Sequence, residues 1–163
     1  MISFRCSSES WSNVAIKRGP NCSVRPPMDP QAEPYPARGT LDDVLGFELL
    51  EASSEGCRAR FAAEARVQQP MGLVHGGAFA ALAESMVSIT THRAVKERGS
   101  FAVGQSNSTT FLRPITDGHV NAEGRPLHRG RTTWVWDVTF TDDNGRVCAV
   151  TRVTMAVRSA EPG

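Results

Sequence analysis

Glu84 stands in Leu82-Ala83-Glu84-Ser85-Met86-Val87, a stretch otherwise apolar enough to be buried. Carboxylates are almost never fully buried without a partner, because an isolated buried charge is very costly. A glutamate there is a surface residue on a less buried helix, a structural partner for an arginine, or a reactive group. Ser88 and Thr91 follow at i+4 and i+7 and share its helical face. Upstream, His75-Gly76-Gly77 opens the same helix. Unpaired backbone N–H groups and the positive end of the helix dipole converge there, and glycine lets a ligand approach the backbone closely. Alone, His-Gly-Gly is merely a tight turn. Joined to Glu84 it becomes more, because an N–H at a helix N-terminus stabilises an oxyanion. A carboxylate two turns along supplies a nucleophile or a base. The chemistry these types suit is attack on an activated carbonyl.

Other chemistries find less support. His75, His92, His119 and His128 form no H-x-x-x-H pair or His/Cys cluster, so spacing offers no zinc site. Cys6, Cys22, Cys57 and Cys148 are scattered without a C-x-x-C pair, unlike a small disulfide scaffold. No apolar signal-peptide core follows Met1, so a reducing cytoplasm is the expected setting. Eighteen basic against seventeen acidic residues give a net charge of +1 and no electrostatic footprint for nucleic acid. No apolar run approaches the roughly 18 residues that span a bilayer.

The elements that must position these groups occupy most of the 163 residues, enough for one domain and a tail. Residues 1–38 hold six of the ten prolines and no sustained period, and read as a disordered or over-annotated extension with Met28 as an alternative start. Thr40 followed by Leu41-Asp42-Asp43 predicts a capped short helix ending at Gly46. Residues 47–52 and 56–67 read as strands around a Ser53-Ser54-Glu55-Gly56 turn. One long helix then runs from His75-Gly76-Gly77 to about Glu97, stopped by Gly99. Its first half is expected to be buried all round, and its second half, with His92 and Arg93, to return to solvent. Residues 101–112 and 118–127 form further strands. Trp134, Trp136, Val138 and Phe140 alternate with polar neighbours, and Asp142-Asp143-Asn144-Gly145 turns the chain into a last strand to Val157. The two tryptophans are expected in the core or a subunit interface, and Cys148 as a small core or sheet residue and not a nucleophile. This order predicts an α+β fold, an antiparallel sheet wrapped around one long central helix, over residues 39–158 with a short tail at 159–163.

The stretch from Gln69-Pro70-Met71-Gly72 through His75-Gly76-Gly77 to Glu84-Ser85 resembles the signature of hotdog-fold acyl-CoA thioesterases. The similarity is greatest to the phenylacetate-degradation (PaaI-type) branch. Gly124 to Trp134 and Asp142 to Val157 resemble that family's central strand turn and closing hairpin, so the resemblance covers about residues 40–158. It implies a thioester hydrolase acting on an acyl-CoA without metal or redox cofactor, as a homodimer or homotetramer with sites at the subunit interface. Glu84 then matches the catalytic carboxylate, as nucleophile or as base for water. The Gly76 N–H matches the donor to the thioester oxygen, with His75 beside it and Gln69, in preference to Gln68, as a second donor. Ser88 matches a hydroxyl that positions water or the carboxylate. For CoA the resemblance implies Gly77, the strand end Thr110-Phe111-Leu112-Arg113 and the turn His128-Arg129-Gly130-Arg131-Thr132. Arg113, Arg129 and Arg131 are either forked phosphate donors or solvated turn residues. The alternatives are a non-catalytic acyl-CoA or fatty-acid binding module and a purely structural dimerisation domain. A hotdog dehydratase would need an Asp/His pair that this chain lacks.

Overall fold

A computed structural model describes residues 39–159; the expectations for 1–38 and for the end of the tail lie outside them. Thr40 opens α1 (Leu41–Leu45), its Oγ1 accepting the Asp43 N–H, and Gly46 closes it with a positive φ of 71° that glycine adopts without strain. Then come β1 (Glu48–Ser53), β2 (Gly56–Ala62), α2 (Gly76–Val95), β3 (Ser100–Phe111), β4 (His119–Arg129), β5 (Thr133–Thr141) and β6 (Val147–Ser159).

The strands form one six-stranded sheet in the order β1-β2-β4-β5-β6-β3, with every neighbouring pair antiparallel. Alternation sends Cys57, Ala59 and Phe61 of β2, and Trp134, Trp136, Val138 and Phe140 of β5, to the helix side. There they meet Phe79, Leu82, Met86 and Val87 of α2. Trp136 is fully buried, and its Nε1 donates to Thr91 Oγ1 at 3.0 Å, which satisfies two polar groups inside the core. Thr91 is therefore a core residue and no neighbour of the Glu84 carboxylate. Burying a side chain of this size stabilises by roughly 1.5–3 kcal/mol.

Three local expectations are corrected. The second strand ends at Ala62, and Ala65–Val67 forms a single 3₁₀ turn. The Ala63 N–H and Gly118 carbonyl close the strand end, and the chain must turn there to reach the helix entrance. His92 is buried, whereas Arg93 is exposed, because a helix lying on a curved sheet keeps one face covered to its last turn. That face runs on to Val95, which is fully buried, while Lys96–Arg98 tightens into a 3₁₀ turn before Gly99. Nor is the first half of α2 covered all round. Ala80, Ala81, Glu84, Ser85, Ser88 and Ile89 are only half-buried and make an open face.

The two edges of the sheet differ. β1 presents Glu48 and Glu51, paired with Arg60 and Arg58, and carries a bulge between Leu49 and Glu51. Such charges and bulges protect an edge from pairing. β3 is twelve residues long and has no charged side chain.

Candidate active site

The loop before α2 is held by backbone. Gln69 N–H donates to the Leu73 carbonyl, Gly72 N–H to the Gln69 carbonyl, Val74 N–H to Ile115, and His75 N–H to Val67. Gly72 takes φ 78° to make this turn. Gln68 and Gln69 separate clearly. The Gln68 amide donates to the Ala63 and Thr116 carbonyls, at 3.1 and 2.9 Å, and is structural. The Gln69 amide has no side-chain partner among the described residues and lines a cavity of about 420 Å³.

At the helix entrance His75 is the N-cap, its Nδ1 accepting the Gly77 N–H at 2.8 Å. One orphan donor of the first turn is thus consumed by the protein itself. The Ala78 N–H returns to the His75 carbonyl. The Gly76 N–H keeps no partner among the described residues, and Gly76 lines the same cavity as Gln69. A Cβ there would lie 2.7 Å from Cζ of Phe111, so glycine leaves room for the ring. The Phe111 ring meets Phe79 edge-on at a centroid distance of 6.0 Å. Leu112 and Arg113 complete one side of the cavity, and Arg113 Nη1 is anchored on the Val147 carbonyl at 2.8 Å.

Glu84 is half-buried on the open face of α2 and forms no ion pair among the described residues. It rests against β3 where Gly104 lacks a side chain; a Cβ at Gly104 would land on Glu84 Oε1. Asn107 Nδ2 donates to the Ala80 carbonyl at 3.0 Å and reaches Glu84 Oε2 at 3.4 Å. Ser88 is half-buried and directs its hydroxyl to Met155 Sδ, a weak contact at 3.7 Å. Gly104 and Asn107 were missed by sequence reasoning. A glycine inside a strand pattern marks a close approach of other atoms, and that signal stood at Gly104.

The structure gathers Gln69, Gly76, Phe111, Leu112 and Arg113, and separates other residues from them. Thr110 alternates to the outer face of the sheet, in a groove with Ser106, Ser108 and Arg152. The His128–Thr132 turn lies at the opposite end of the sheet. Phe111 aligns with Ala149 and Phe140, whereas Val103 aligns with Ala156 and Thr133; those rows are about 23 Å apart. Within that turn Arg129 pairs with the Glu55 carboxylate and the Ser54 carbonyl, while the Arg131 guanidinium has no partner among the described residues. Gly130 N–H donates to the Thr133 carbonyl, and His128 packs over Gly130.

Among the described residues, neither cysteine is set up as a nucleophile. Burial pushes the Cys57 thiol up to about 11 and raises that of Cys148 as well. Both side chains are 1% exposed. Among the described residues no group of three His, Cys, Asp or Glu side chains could hold a metal ion.

Comparison with known proteins identifies the family. The thioesterase superfamily matches residues 71–149. The chain is 41% identical over 121 residues to the proofreading thioesterase EntH of Klebsiella pneumoniae, covering 74% of this chain and 88% of that one. Among solved structures, a mutant thioesterase PA1618 from Pseudomonas aeruginosa superposes with a TM-score of 0.70 at 35% identity, over 73% of this chain and 86% of that one. Thioesterase HI1161 from Haemophilus influenzae superposes with a TM-score of 0.72 at 29% identity, over 77% and 87%. With its sheet wrapped on a single long helix in the hotdog manner, the chain belongs to the thioesterase superfamily, a family of thioester hydrolases.

Proposed function

We propose that the protein hydrolyses an acyl-CoA, of the aryl or short to medium acyl kind, with Glu84 as its reactive carboxylate. The observation that carries this reading is the pairing of two unspent donors, the Gly76 N–H and the Gln69 amide, on one cavity, with an unpaired glutamate on the same helix. The donors hold the thioester oxygen and stabilise the negative charge that develops on it. Glu84 attacks the carbonyl carbon directly, or takes a proton from a water that does. The C–S bond then breaks and CoA leaves as the thiolate, which is protonated. If Glu84 attacks, water cleaves the resulting anhydride and restores the carboxylate. A solved variant of the Pseudomonas relative replaces a glutamine by alanine, and one of a Staphylococcus aureus relative replaces a glutamate. These are the two side-chain types paired in this reading.

One chain does not bring these groups together. Gly76 and Glu84 are eight residues apart, about 12 Å along the helix, whereas a reacting carbon must lie about 3–3.5 Å from its nucleophile. A second copy resolves the mismatch. Pairing two uncharged β3 edges antiparallel around a two-fold axis sets the Phe111 end of one strand beside the Gly104 end of the other. Each site then takes Gln69, Gly76 and Arg113 from one protomer and Glu84 from its partner. The same operation brings the partner's 128–132 turn toward Arg113, so that arginines now at opposite ends of the sheet serve one CoA. The working unit is a homodimer, or a tetramer built from it. The free, buried Cys57 and Cys148 suit a reducing cytoplasm.

The test is thiol release across aryl-, short- and long-chain acyl-CoAs, run beside a thermal-shift titration with CoA. Turnover of at least one class together with CoA-dependent stabilisation is expected. Stabilisation without turnover would identify a binding module, and neither would identify a structural dimerisation domain.

A further inference from the structure

Asn107 does something that the reaction as described leaves unexplained. It sits on β3, an exposed strand where nothing in the core requires a carboxamide, yet both ends of its amide are committed. Its Oδ1 accepts from Thr109 Oγ1 at 3.1 Å, and its Nδ2 serves the Ala80 carbonyl and Glu84 Oε2. Thr109 Oγ1 in turn lies 2.9 Å from the Oγ1 of Thr151, which is 3% exposed. Because Thr109 spends its single proton on Asn107, Thr151 must be the donor of that pair. The hydrogen bonds therefore all point one way: from Thr151 to Thr109, to the Asn107 oxygen, and from the Asn107 N–H groups to helix backbone and carboxylate.

The Ala80 carbonyl accepts the i+4 N–H of Glu84 within α2 and has a second lone pair for Asn107, so the amide is pinned to the turn that carries the glutamate. The second N–H of Asn107 then meets one carboxylate oxygen, Oε2. The other oxygen, Oε1, is the one lying over Gly104. A bulge between Gly104 and Ser106 sets this part of β3 out of regular register with β6, and bulges re-aim side chains at functional sites.

We propose that Asn107 is a positioning residue for Glu84, holding Oε2 and the glutamate rotamer so that Oε1 is the oxygen that reacts. The proposal rests on the assignment of Glu84 as the reactive carboxylate. The chain from Thr151 is its support, since each bond in a one-directional series polarises the next. A half-buried, unpaired glutamate without this brace would sample several rotamers, and a displacement of about 1 Å at a reacting group can cost on the order of 10²-fold in rate.

The experiment compares kcat and KM of wild type, Glu84→Ala, Asn107→Leu and Thr109→Val on the best acyl-CoA, with melting temperature and oligomeric mass recorded for each. Asn107→Leu is expected to lose on the order of tenfold or more in kcat, with KM changed less than about threefold and the protein still folded and associated. Thr109→Val keeps its shape and removes both the donor to Asn107 and the acceptor of the Thr151 hydroxyl, and is expected to show a smaller loss of the same kind. If Asn107→Leu fails to fold, Thr109→Val decides alone. Full kcat in the folded Asn107 or Thr109 variants, with Glu84→Ala inactive, would overturn the positioning role and leave the thioesterase reading intact. An active Glu84→Ala would instead remove the glutamate assignment itself.

Discussion

Glu84 carries a carboxylate onto a helix face that no cation reaches among the described residues, and it is braced there by one amide. Replacing it with alanine removes the carboxylate proposed to react while leaving the proposed donors in place, so kcat is expected to fall by about 10²- to 10⁴-fold with little change in melting temperature. Gln69→Ala removes one of two donors to the oxyanion and is expected to cost about 10²-fold in kcat; steady-state thiol release checks both. The thiols offer a separate check on the core. Because burial holds Cys57 at about 11 and raises Cys148, alkylation at pH 8 mapped by peptide mass should spare both until denaturant is added. Rapid labelling of Cys57 in the native protein would contradict the packing of β2 on α2. Glu84, Gly76, Gln69 and Arg113 stand out as candidates in the sequence, because helix period, a glycine pair and family resemblance are local signals. Asn107 was not, because its bonds to Ala80 and Glu84 span 27 and 23 residues and depend on which strand flanks the helix.

At the scale of elements, α2 has two jobs that its sequence kept in view: an apolar face for the sheet, and an entrance cleared of side chains at Gly76 and Gly77. The hairpin between β5 and β6 was equally plain in Asp142-Asp143-Asn144-Gly145. Its two acids do more than turn the chain. Asp142 is held below its ordinary range first by the Arg146 backbone N–H, and Asp143 first by the His119 backbone N–H. Groups depressed in the folded state contribute stability that is fully present above about pH 4, their unfolded value. That stability is lost as pH falls through the folded value. The melting temperature should therefore be flat across the pH 5–7 range and decline below about pH 4, with a shallower decline in Asp143→Asn; an identical decline would refute the role given to the hairpin. Asp143 is solvent-exposed, so the effect of its substitution is small. Less legible was the end of β2, where residues 56–67 read as one strand but the Gly118 carbonyl takes the Ala63 N–H and closes the strand. The burial of His92 was hidden for a related reason: a polar residue late in a helix reads as solvated unless the curvature of the sheet is known.

In the proposed reading, the molecule as a whole is half of a site that a second copy completes. Its sheet has one edge guarded by charge and a bulge and one edge, β3, left polar but uncharged. Its Gly76 N–H and its Glu84 carboxylate stand about 12 Å apart along α2. Those two facts have a common solution in a second copy, and sedimentation should return at least twice the 17.6 kDa of one chain. Ser108→Lys, which sets like charges against each other across paired β3 edges, is expected to dissociate the dimer and abolish activity together. The antiparallel sheet around one helix followed from the order of elements. The placing of β3 beside β6 did not, since that long-range pairing leaves no local trace. The most direct test of the account mixes Glu84→Ala with Gln69→Ala after separate purification and mild dissociation. Each homodimer lacks half of every site, but a mixed dimer holds one site with Gln69 from one protomer and Glu84 from the other. Thiol release is expected to recover toward about a quarter of the wild-type rate on random re-pairing. No recovery, in a mixture shown by mass spectrometry to contain mixed dimers, would contradict a site shared between two chains.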